Sequence, residues 1–422
     1  DESLQEYRAI AKTFRALFYL DMVGYYDSLD AKDCTIPTYA GELEKVKGYI
    51  VPIVTENTDE KAAKQNPRAK REDVFKFIFE DLADAEEVMS AVEADPELAT
   101  IYGTTPTYPT LAAVYGLYAR AYMWLGQFDN VYNDVEGYEA VITGLDAYKE
   151  AEKYAKLAQE GYSPLTEAQY MDRNAAFNTP NNAWIHSFTY EASDPAIKEN
   201  DSDSNWGNQW FLEGQHGCWY ASNYGQPKRI DAHLYSTIPD TDFRKMCFID
   251  PSVDDMSKAE AVNFLANYTD YPEVVVDTPS DSDYLGYIVM KFRAAGGDAG
   301  RKDNYKGTVV SVPSIRVEEM ILIEAEAIGM QAGREAEGIA KLTAFAKTRD
   351  AAYQYDNLKT FRDNVWWQRR VEFFGESAIA TFDIKRLNKG IIRSYEGTNH
   401  IETARFNCDG LAPWFNLCIN KY

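Results

Sequence analysis

The feature of the sequence that most restricts its fold is a pattern that occurs twice. In each copy an apolar helix ends near a glycine, and a second helix with alanine at its contact positions follows. The first copy comprises residues 119–128 and helix 147–160, and the second comprises residues 323–329 and helix 335–349. Small residues let two helices approach closely, and neither helix can bury its apolar face alone. The pattern therefore predicts two helical hairpins that share one scaffold.

Apolar residues spaced three and four apart predict the other helices, at about 3–26 and, near the end of the chain, at about 361–375. The stripe of the first helix comprises Tyr7, Ile10, Phe14, Leu17 and Phe18. The stripe of the last helix in the repeated pattern comprises Ala336, Ile339, Ala340 and Ala346. The helical scaffold is thus placed at about 3–26, 70–162 and 312–390, within a single domain over residues 1–422.

Two long segments between the helical blocks have a different composition. Residues 27–69 and 163–311 are rich in Asn, Asp, Gly, Pro, Ser and aromatic residues and have little helical periodicity. Short strand-like runs occur at 183–190, 274–276 and 287–292, too few for a large sheet. Long loops on a rigid scaffold commonly carry function. The predicted fold class is all-α, with tetratricopeptide-like helical pairs, long irregular loop insertions that form a ligand face, and minor short strands.

The charge of the chain argues against several classes of partner. It carries 43 basic and 67 acidic residues, for a formal net charge of −24. Nucleic acids and anionic membrane surfaces are bound mainly through clustered Lys and Arg, so neither is an expected partner. The five cysteines are scattered and form no CxxC pair, so neither a zinc ribbon nor a disulfide framework is expected. The acidic first residues are unlike a signal peptide, so such a segment is either absent or lies outside this chain.

The common catalytic motifs do not occur in the sequence. The four histidines form no HExxH pair, and there is no GxSxG, P-loop or GxGxxG motif. A pair of carboxylates for glycoside hydrolysis stays open, but with 67 acidic residues nothing singles out an acid and a nucleophile. The chain is therefore predicted not to be an enzyme.

One polar run partly matches a calcium-binding loop. Asp201, Asp203 and Asn205 place oxygen atoms at alternate positions, as hard cations require. The position that needs glycine for the turn holds Trp206, and Glu213 falls one place late for the closing ligand. We expect no cofactor, and Ca²⁺ at this loop is a weak candidate.

An aromatic cluster directly after this run is the predicted ligand site. Six aromatic residues interleave with amides and glycines over 206–224, without helical spacing. A flat ring can cover the apolar C–H face of a sugar, while amides offer donors and acceptors to its hydroxyl groups. The alternative is that these rings pin the long loops to the helices. The predicted ligand-binding residues are Trp206, Asn208, Gln209, Trp210, Trp219, Tyr220 and Tyr224.

Six segments together resemble the SusD/RagB-like nutrient-binding lipoproteins of Bacteroidetes-type outer membranes. The run PSIRVEEMILIEAEA at 313–327 is similar to the family pattern P–LRLAEVYLIYAEA. RRVEFFGE at 369–376, followed by FDIKRL at 382–387, resembles RR–EL–FEG–R–FDL–R. Further similar segments, in family order, lie at 12–23, 66–82, 119–128 and 414–420.

This resemblance implies a binding protein that captures a glycan nutrient at the cell surface. It implies delivery of the ligand to a SusC-like TonB-dependent transporter, and an outer-membrane location held by a lipid anchor outside this chain. Ligand residues vary widely in the family, so none is carried over to this sequence. The alternatives are a peptide-binding member of the family, an all-helical glycoside hydrolase or lyase, and a tetratricopeptide-type adaptor for other proteins.

Several charged and aromatic residues of the helices are expected to be structural. Large charged residues on closely packed helices usually pair with one another. The expected ion-pair residues are Arg316, Glu324, Arg370, Glu372 and Asp383, and the expected core residues are Trp124, Trp366 and Trp367.

Overall fold

The structure, a computed structural model, gives the architecture of most of the chain. It describes residues 2–30, 47–104, 107–129, 132–133, 135–193, 229–277, 284–297, 300, 307, 309–376 and 379–417. The helices are α1 Glu2–Tyr26, α2 Glu60–Ala63, α3 Arg71–Ala94, α4 Leu111–Leu125, α5 Gly144–Ala158, α6 Glu167–Tyr170, α7 Ala232–Ser236, α8 Lys258–Leu265, α9 Pro272–Asp277, α10 Val317–Gly329, α11 Glu335–Ala346, α12 Phe361–Glu372 and α13 Ile379–Arg386. The strands are β1 Trp184–Phe188, β2 Val312–Arg316, β3 Ile391–Ile392 and β4 Asn407–Cys408. The predicted helical fold with minor strands is confirmed.

The first predicted hairpin is formed by α4 and α5. Helix α4 ends at Gly126, where a Cβ atom would lie 2.6 Å from the ring of Tyr148 on α5. The contact face of α5 is fully buried and carries alanine at successive turns, namely Ala147, Ala151, Ala155 and Ala158. The small side chains thus bring the two helices together as predicted.

The second hairpin, α10 and α11, is confirmed as a pair, but the predicted contact face of α11 is only partly right. Ala346 is buried and Ile339 packs against the core, as predicted. Ala336 and Ala340 are exposed, and the buried positions are Gly338, Leu342, Phe345 and Ala346. A Cβ atom at Gly338 would lie 2.7 Å from the Cα atom of Gly329 on α10. The glycine therefore permits the closest backbone approach and sets the rotation of the helix, while the alanines are small enough to face solvent.

Replacing Gly338 with alanine is expected to lower the free energy of unfolding by about 2 kcal/mol, since the added methyl group meets backbone that cannot move aside. At a helix position without such a contact, glycine to alanine would instead raise stability by up to about 1 kcal/mol. Urea unfolding of the Gly338→Ala variant shows whether the free energy of unfolding falls or rises. Ala340→Ser is the control on the exposed face of α11. Unchanged or increased stability would show that the helices are not in close contact here.

The strands join distant parts of the chain. β1 and β2 are antiparallel, with Trp184 opposite Arg316 and Phe188 opposite Val312. The strand-like run at 183–190 is thus confirmed. The run at 274–276 is instead part of helix α9, which Pro272 begins with its fixed backbone angle. In the run at 287–292, Ile288 and Val289 form isolated bridges rather than a strand.

The main hydrophobic core lies between α1, α3, α4, α5 and α10. The irregular region 229–297 has a smaller core of its own around Ile249, Leu265 and Ile288. This second core explains why short helices occur in a segment without helical periodicity. In the part of the chain that the structure describes, none of the helices combines the length and apolar character needed to cross a membrane.

Helix α1 shows an unexpected distribution of its apolar residues. Of the predicted stripe, Ile10 and Leu17 are buried and Phe14 is partly buried, whereas Tyr7 and Phe18 are 48% and 50% exposed. The stripe is therefore wider than the surface that its neighbours cover. Near its C-terminal end, α1 forms one wall of a cavity.

Candidate functional site

The ligand site predicted from the sequence lies outside the described residues. It belongs to the segment between Ser193 and Arg229. The residues concerned are Trp206, Asn208, Gln209, Trp210, Trp219, Tyr220 and Tyr224, together with the calcium candidates Asp201, Asp203 and Asn205. All of them remain predictions. Among the residues that the structure describes, no three His, Cys, Asp or Glu side chains are placed to hold a metal ion.

The strand that leads into this segment is fixed to the scaffold. On β1, the Nε2 atom of His186 lies 3.0 Å from the carbonyl oxygen of Thr107. Burial lowers the pKa of His186 to about 4, although the hydrogen bond to Thr107 opposes this. The imidazole is therefore neutral at pH 7 and acts as a structural contact of the strand.

The chain that leaves the segment is fixed by a polar cluster at the start of α7. Asp231 accepts hydrogen bonds from the hydroxyl of Tyr395 at 2.7 Å and from the N–H of Leu234 at 2.9 Å. The Nε2 atom of His400 lies 3.1 Å from the same carboxylate. Burial works to raise the pKa of Asp231, but these contacts outweigh it and lower that pKa. Both ends of the predicted site are thus attached to packed structure.

The charged residues expected to be structural form buried ion pairs. Arg316 contacts Glu372 at 3.1 Å and Glu376 at 2.8 Å, and all three side chains are buried. Asp383 accepts a hydrogen bond from Arg369 at 2.6 Å. These contacts are ion pairs within the scaffold, as expected.

Two of these structural predictions need correction. Glu324 pairs with Lys341 at 2.5 Å, as expected. Arg370 instead lies 4.8 Å from the ring of Trp366, and the described residues place no carboxylate within ion-pair distance of it. Both Trp366 and Trp367 are partly buried, but only Trp367 packs against the hydrophobic core, where its indole N–H donates to Thr237 at 2.8 Å, so the core prediction fails for Trp366.

A cavity of about 340 Å³ lies between α1, α4, α10 and α13. Its walls are mainly apolar and include Leu17, Leu20, Met123, Trp124 and Phe382. Trp124 is buried, as predicted. Its indole N–H donates to Asp27 at 2.9 Å, so that the ring is held in place.

Arg120, Glu319 and Asp21 are among the polar residues that line this cavity. Arg120 donates two hydrogen bonds to Glu319, at 2.9 Å and 2.6 Å, and a third to the carbonyl oxygen of Ser314 at 2.6 Å. Asp21, on α1, also lines the cavity and is partly buried. Within the described part of the chain, its carboxylate has neither a hydrogen bond nor an ion pair.

The electrostatic setting of Asp21 follows from this arrangement. Burial raises the pKa of the Asp21 carboxyl, the charge of Arg120 works to lower it, and Glu319 raises it further. An apolar pocket with a convergent, perturbed ionisable group is a common form of small-molecule site. The pocket is not predictable from the sequence, because its walls come from helices that are far apart in the chain.

No protein-family model and no curated protein matches the chain. Solved structures do. A SusD-like carbohydrate-binding protein from Bacteroides vulgatus superposes with a TM-score of 0.63 at 19% identity, over 100% of this chain and 75% of the other. A SusD superfamily protein from Bacteroides thetaiotaomicron gives a TM-score of 0.60 at 15% identity, over 95% and 71% of the two chains. A structure described as containing a xylogluco-oligosaccharide gives 0.55 at 16% identity, over 92% and 66%. At these identities the likeness shows the fold.

Proposed function

We propose that this chain, which has the SusD-like fold that its sequence motifs predicted, is a non-catalytic protein that binds an oligosaccharide or polysaccharide. The observation that supports this proposal most is the superposition over the full chain on a protein described as carbohydrate-binding. The likeness to the structure described with a xylogluco-oligosaccharide also supports carbohydrate binding. A shared fold does not by itself fix function, so the absence of catalytic motifs and the aromatic cluster carry the rest of the argument.

We place the carbohydrate at the aromatic cluster, on Trp206, Trp210 and Trp219. Each ring stacked on a sugar is expected to contribute about 1–2 kcal/mol through buried area. Two or three such rings, after the cost of association, imply a dissociation constant between about 1 mM and 1 μM. That range suits a protein that captures a nutrient and releases it again.

A panel of neutral glycans, xylogluco-oligosaccharides included, tests this placement by calorimetry on the wild-type protein and on Trp206→Ala, Trp210→Ala and Trp219→Ala. At least two of the variants are expected to bind the best glycan about tenfold more weakly than the wild type, because each loses one stacking surface. Trp414→Ala is a matched control, since Trp414 is an exposed indole on a different segment.

Three results would contradict the proposal in different ways. If all three variants bound the glycan as tightly as the wild type, the protein would still bind carbohydrate, but the site would not be the aromatic cluster. Binding of peptides but of no glycan would favour the peptide-binding alternative. Turnover of a glycan that a single carboxylate substitution abolishes would favour a hydrolase or lyase.

We also propose that the bound glycan is passed to a SusC-like TonB-dependent transporter, and that the protein works at the outer-membrane surface on a lipid anchor outside this chain. The family resemblance of the sequence motifs supports this step. Affinity purification of the tagged full-length protein from its native cells is expected to recover a TonB-dependent transporter from the outer-membrane fraction. Recovery in the cytosolic fraction without a transporter would contradict the step.

A further inference from the structure

The cavity between α1, α4, α10 and α13 has the wrong chemistry for a sugar. Its arginines are paired, Arg120 with Glu319, Arg369 with Asp383 and Arg386 with Glu326. Among the described residues, only the Nη1 atom of Arg369 is a buried arginine nitrogen of this cavity without a hydrogen-bond partner. A sugar carries a hydroxyl group on most of its carbon atoms, and each would need a partner inside the cavity. Apolar walls with few uncommitted polar groups suit instead a ligand with a hydrocarbon body and one polar head.

Among the described residues, the Asp21 carboxylate is the charged group of the cavity wall that lacks an ion-pair partner. The guanidinium of Arg120 is the neighbouring positive charge, but its hydrogen bonds go to Glu319 and to the carbonyl oxygen of Ser314. Since Arg120, Arg369 and Arg386 are each matched by another carboxylate, the charge of Asp21 is the one in excess among the described residues of this mainly apolar cavity. A partly buried charge is stabilised by an opposite charge, so the missing partner is a cation.

The walls around Asp21 define the shape of the ligand body. Phe382 packs edge-on against Tyr25 at a centroid distance of 5.2 Å, and both rings line the cavity. The indole of Trp124 is held by its hydrogen bond to Asp27. Aromatic rings near a carboxylate attract organic cations, since the ring faces and the carboxylate both favour positive charge. A volume of about 340 Å³ accommodates a small molecule rather than a polymer.

We propose that this cavity is a second binding site, for a small organic cation with an aromatic or alkyl body whose ammonium group pairs with the Asp21 carboxylate. The body of the ligand fills the space between Leu20, Met123 and Phe382. This proposal does not depend on the carbohydrate site proposed above.

Three probes of matched shape test the proposal by calorimetry at pH 7: 2-phenylethylammonium, the neutral 2-phenylethanol and the anionic 3-phenylpropanoate. The wild-type protein is expected to bind the ammonium at least tenfold more tightly than the alcohol, because a charge-assisted hydrogen bond exceeds a neutral one. The anion is expected to bind more weakly than both. Equal affinity for the three probes, or binding of none, would overturn the proposal.

Asp21→Asn removes the charge and keeps the shape of the side chain. Affinity for the ammonium is expected to fall about tenfold or more, while affinity for the alcohol stays unchanged. Leu20→Trp is a second variant that fills the cavity and is expected to weaken both probes. Circular dichroism shows whether each variant is folded, and unchanged glycan binding by Asp21→Asn shows that the two sites are independent. Retention of the ammonium preference by folded Asp21→Asn would refute the role of this carboxylate.

The pH dependence gives a further readout of the same site. Affinity for the ammonium is expected to fall as the pH is lowered from 7 to 4, because burial raises the pKa of Asp21 and the protonated acid no longer attracts a cation. The alcohol serves as the control, since its affinity should not follow this titration. The charged and titratable groups that line the same cavity are Tyr25, Arg120, Glu319, Arg369, Asp383 and Arg386.

Discussion

Replacing Glu372 with glutamine is expected to lower the free energy of unfolding by about 3–5 kcal/mol. The Glu372 carboxylate is completely buried and lies 3.1 Å from each of Arg244, Arg316 and Arg349. Burial works to raise the pKa of Glu372, but the three guanidinium groups outweigh it and hold that pKa well below its usual range. The three arginines would keep Asp242, Glu318 and Glu376 as partners. Because Lys291 also pairs with Glu376, the neutral amide would leave the buried cluster with one positive charge in excess, in an environment that solvates it poorly.

Urea unfolding of Glu372→Gln measures this loss. Glu337→Gln is the matched control, because Glu337 also pairs with an arginine, Arg334 at 2.7 Å, but its side chain is 53% exposed. Pairs at the surface contribute at most about 1 kcal/mol. If Glu372→Gln were no more destabilised than Glu337→Gln, the buried cluster would not be a major source of stability.

Lowering the pH from above 4.5 to about 2 is expected to reduce the free energy of unfolding by about 3 kcal/mol through the protonation of Glu326 alone. Burial works to raise the pKa of Glu326, but the charges of Arg386, Arg362 and Arg369, with a hydrogen bond from Arg386, lower it to about 2 from a usual 4.5. A lowered pKa stabilises the folded state at a pH above the usual value of 4.5. That contribution is lost as the pH falls from 4.5 towards 2, at about 1.4 kcal/mol for each unit of the shift.

The measurement is the free energy of unfolding at several pH values between 6 and 2.5, for the wild-type protein and for Glu326→Gln. The variant has no carboxyl group at this position, so its stability should be lower at pH 6 and should depend less steeply on pH below 4.5. Parallel curves for the two proteins would show that Glu326 titrates normally in the folded state.

The helical scaffold could be predicted from the sequence because its signal is local. Stripes of apolar residues and terminal glycines lie within one or two turns of each other, as at Gly126 and Gly329. The face that α11 turns towards α10 could not be predicted from such a local pattern. Its rotation depends on how closely Gly338 approaches α10, and this is a property of two helices rather than of one.

The cavity was not predictable for a related reason. Asp21 appears in the sequence as one of 67 acidic residues, on a helix where exposed carboxylates are common. Its position becomes unusual only when Arg120 is already occupied by Glu319, which is about 200 positions further along the chain. For the aromatic cluster at 206–224 the sequence was informative and the structure was not. Its composition was readable in the sequence, and its geometry lies outside the described residues.

The pairing of β1 with β2 has a consequence for how such a protein can diversify. Phe188 lies opposite Val312, so the residues between them leave the scaffold and return to it at neighbouring points. The entropy of closing a loop rises slowly with its length, by about 0.6 kcal/mol for each doubling. Changes of length within this excursion therefore cost little chain entropy, provided that they spare the residues that pack against the helices, such as Arg244 and Lys291. The excursion can thus vary in length during evolution while the helical frame stays the same.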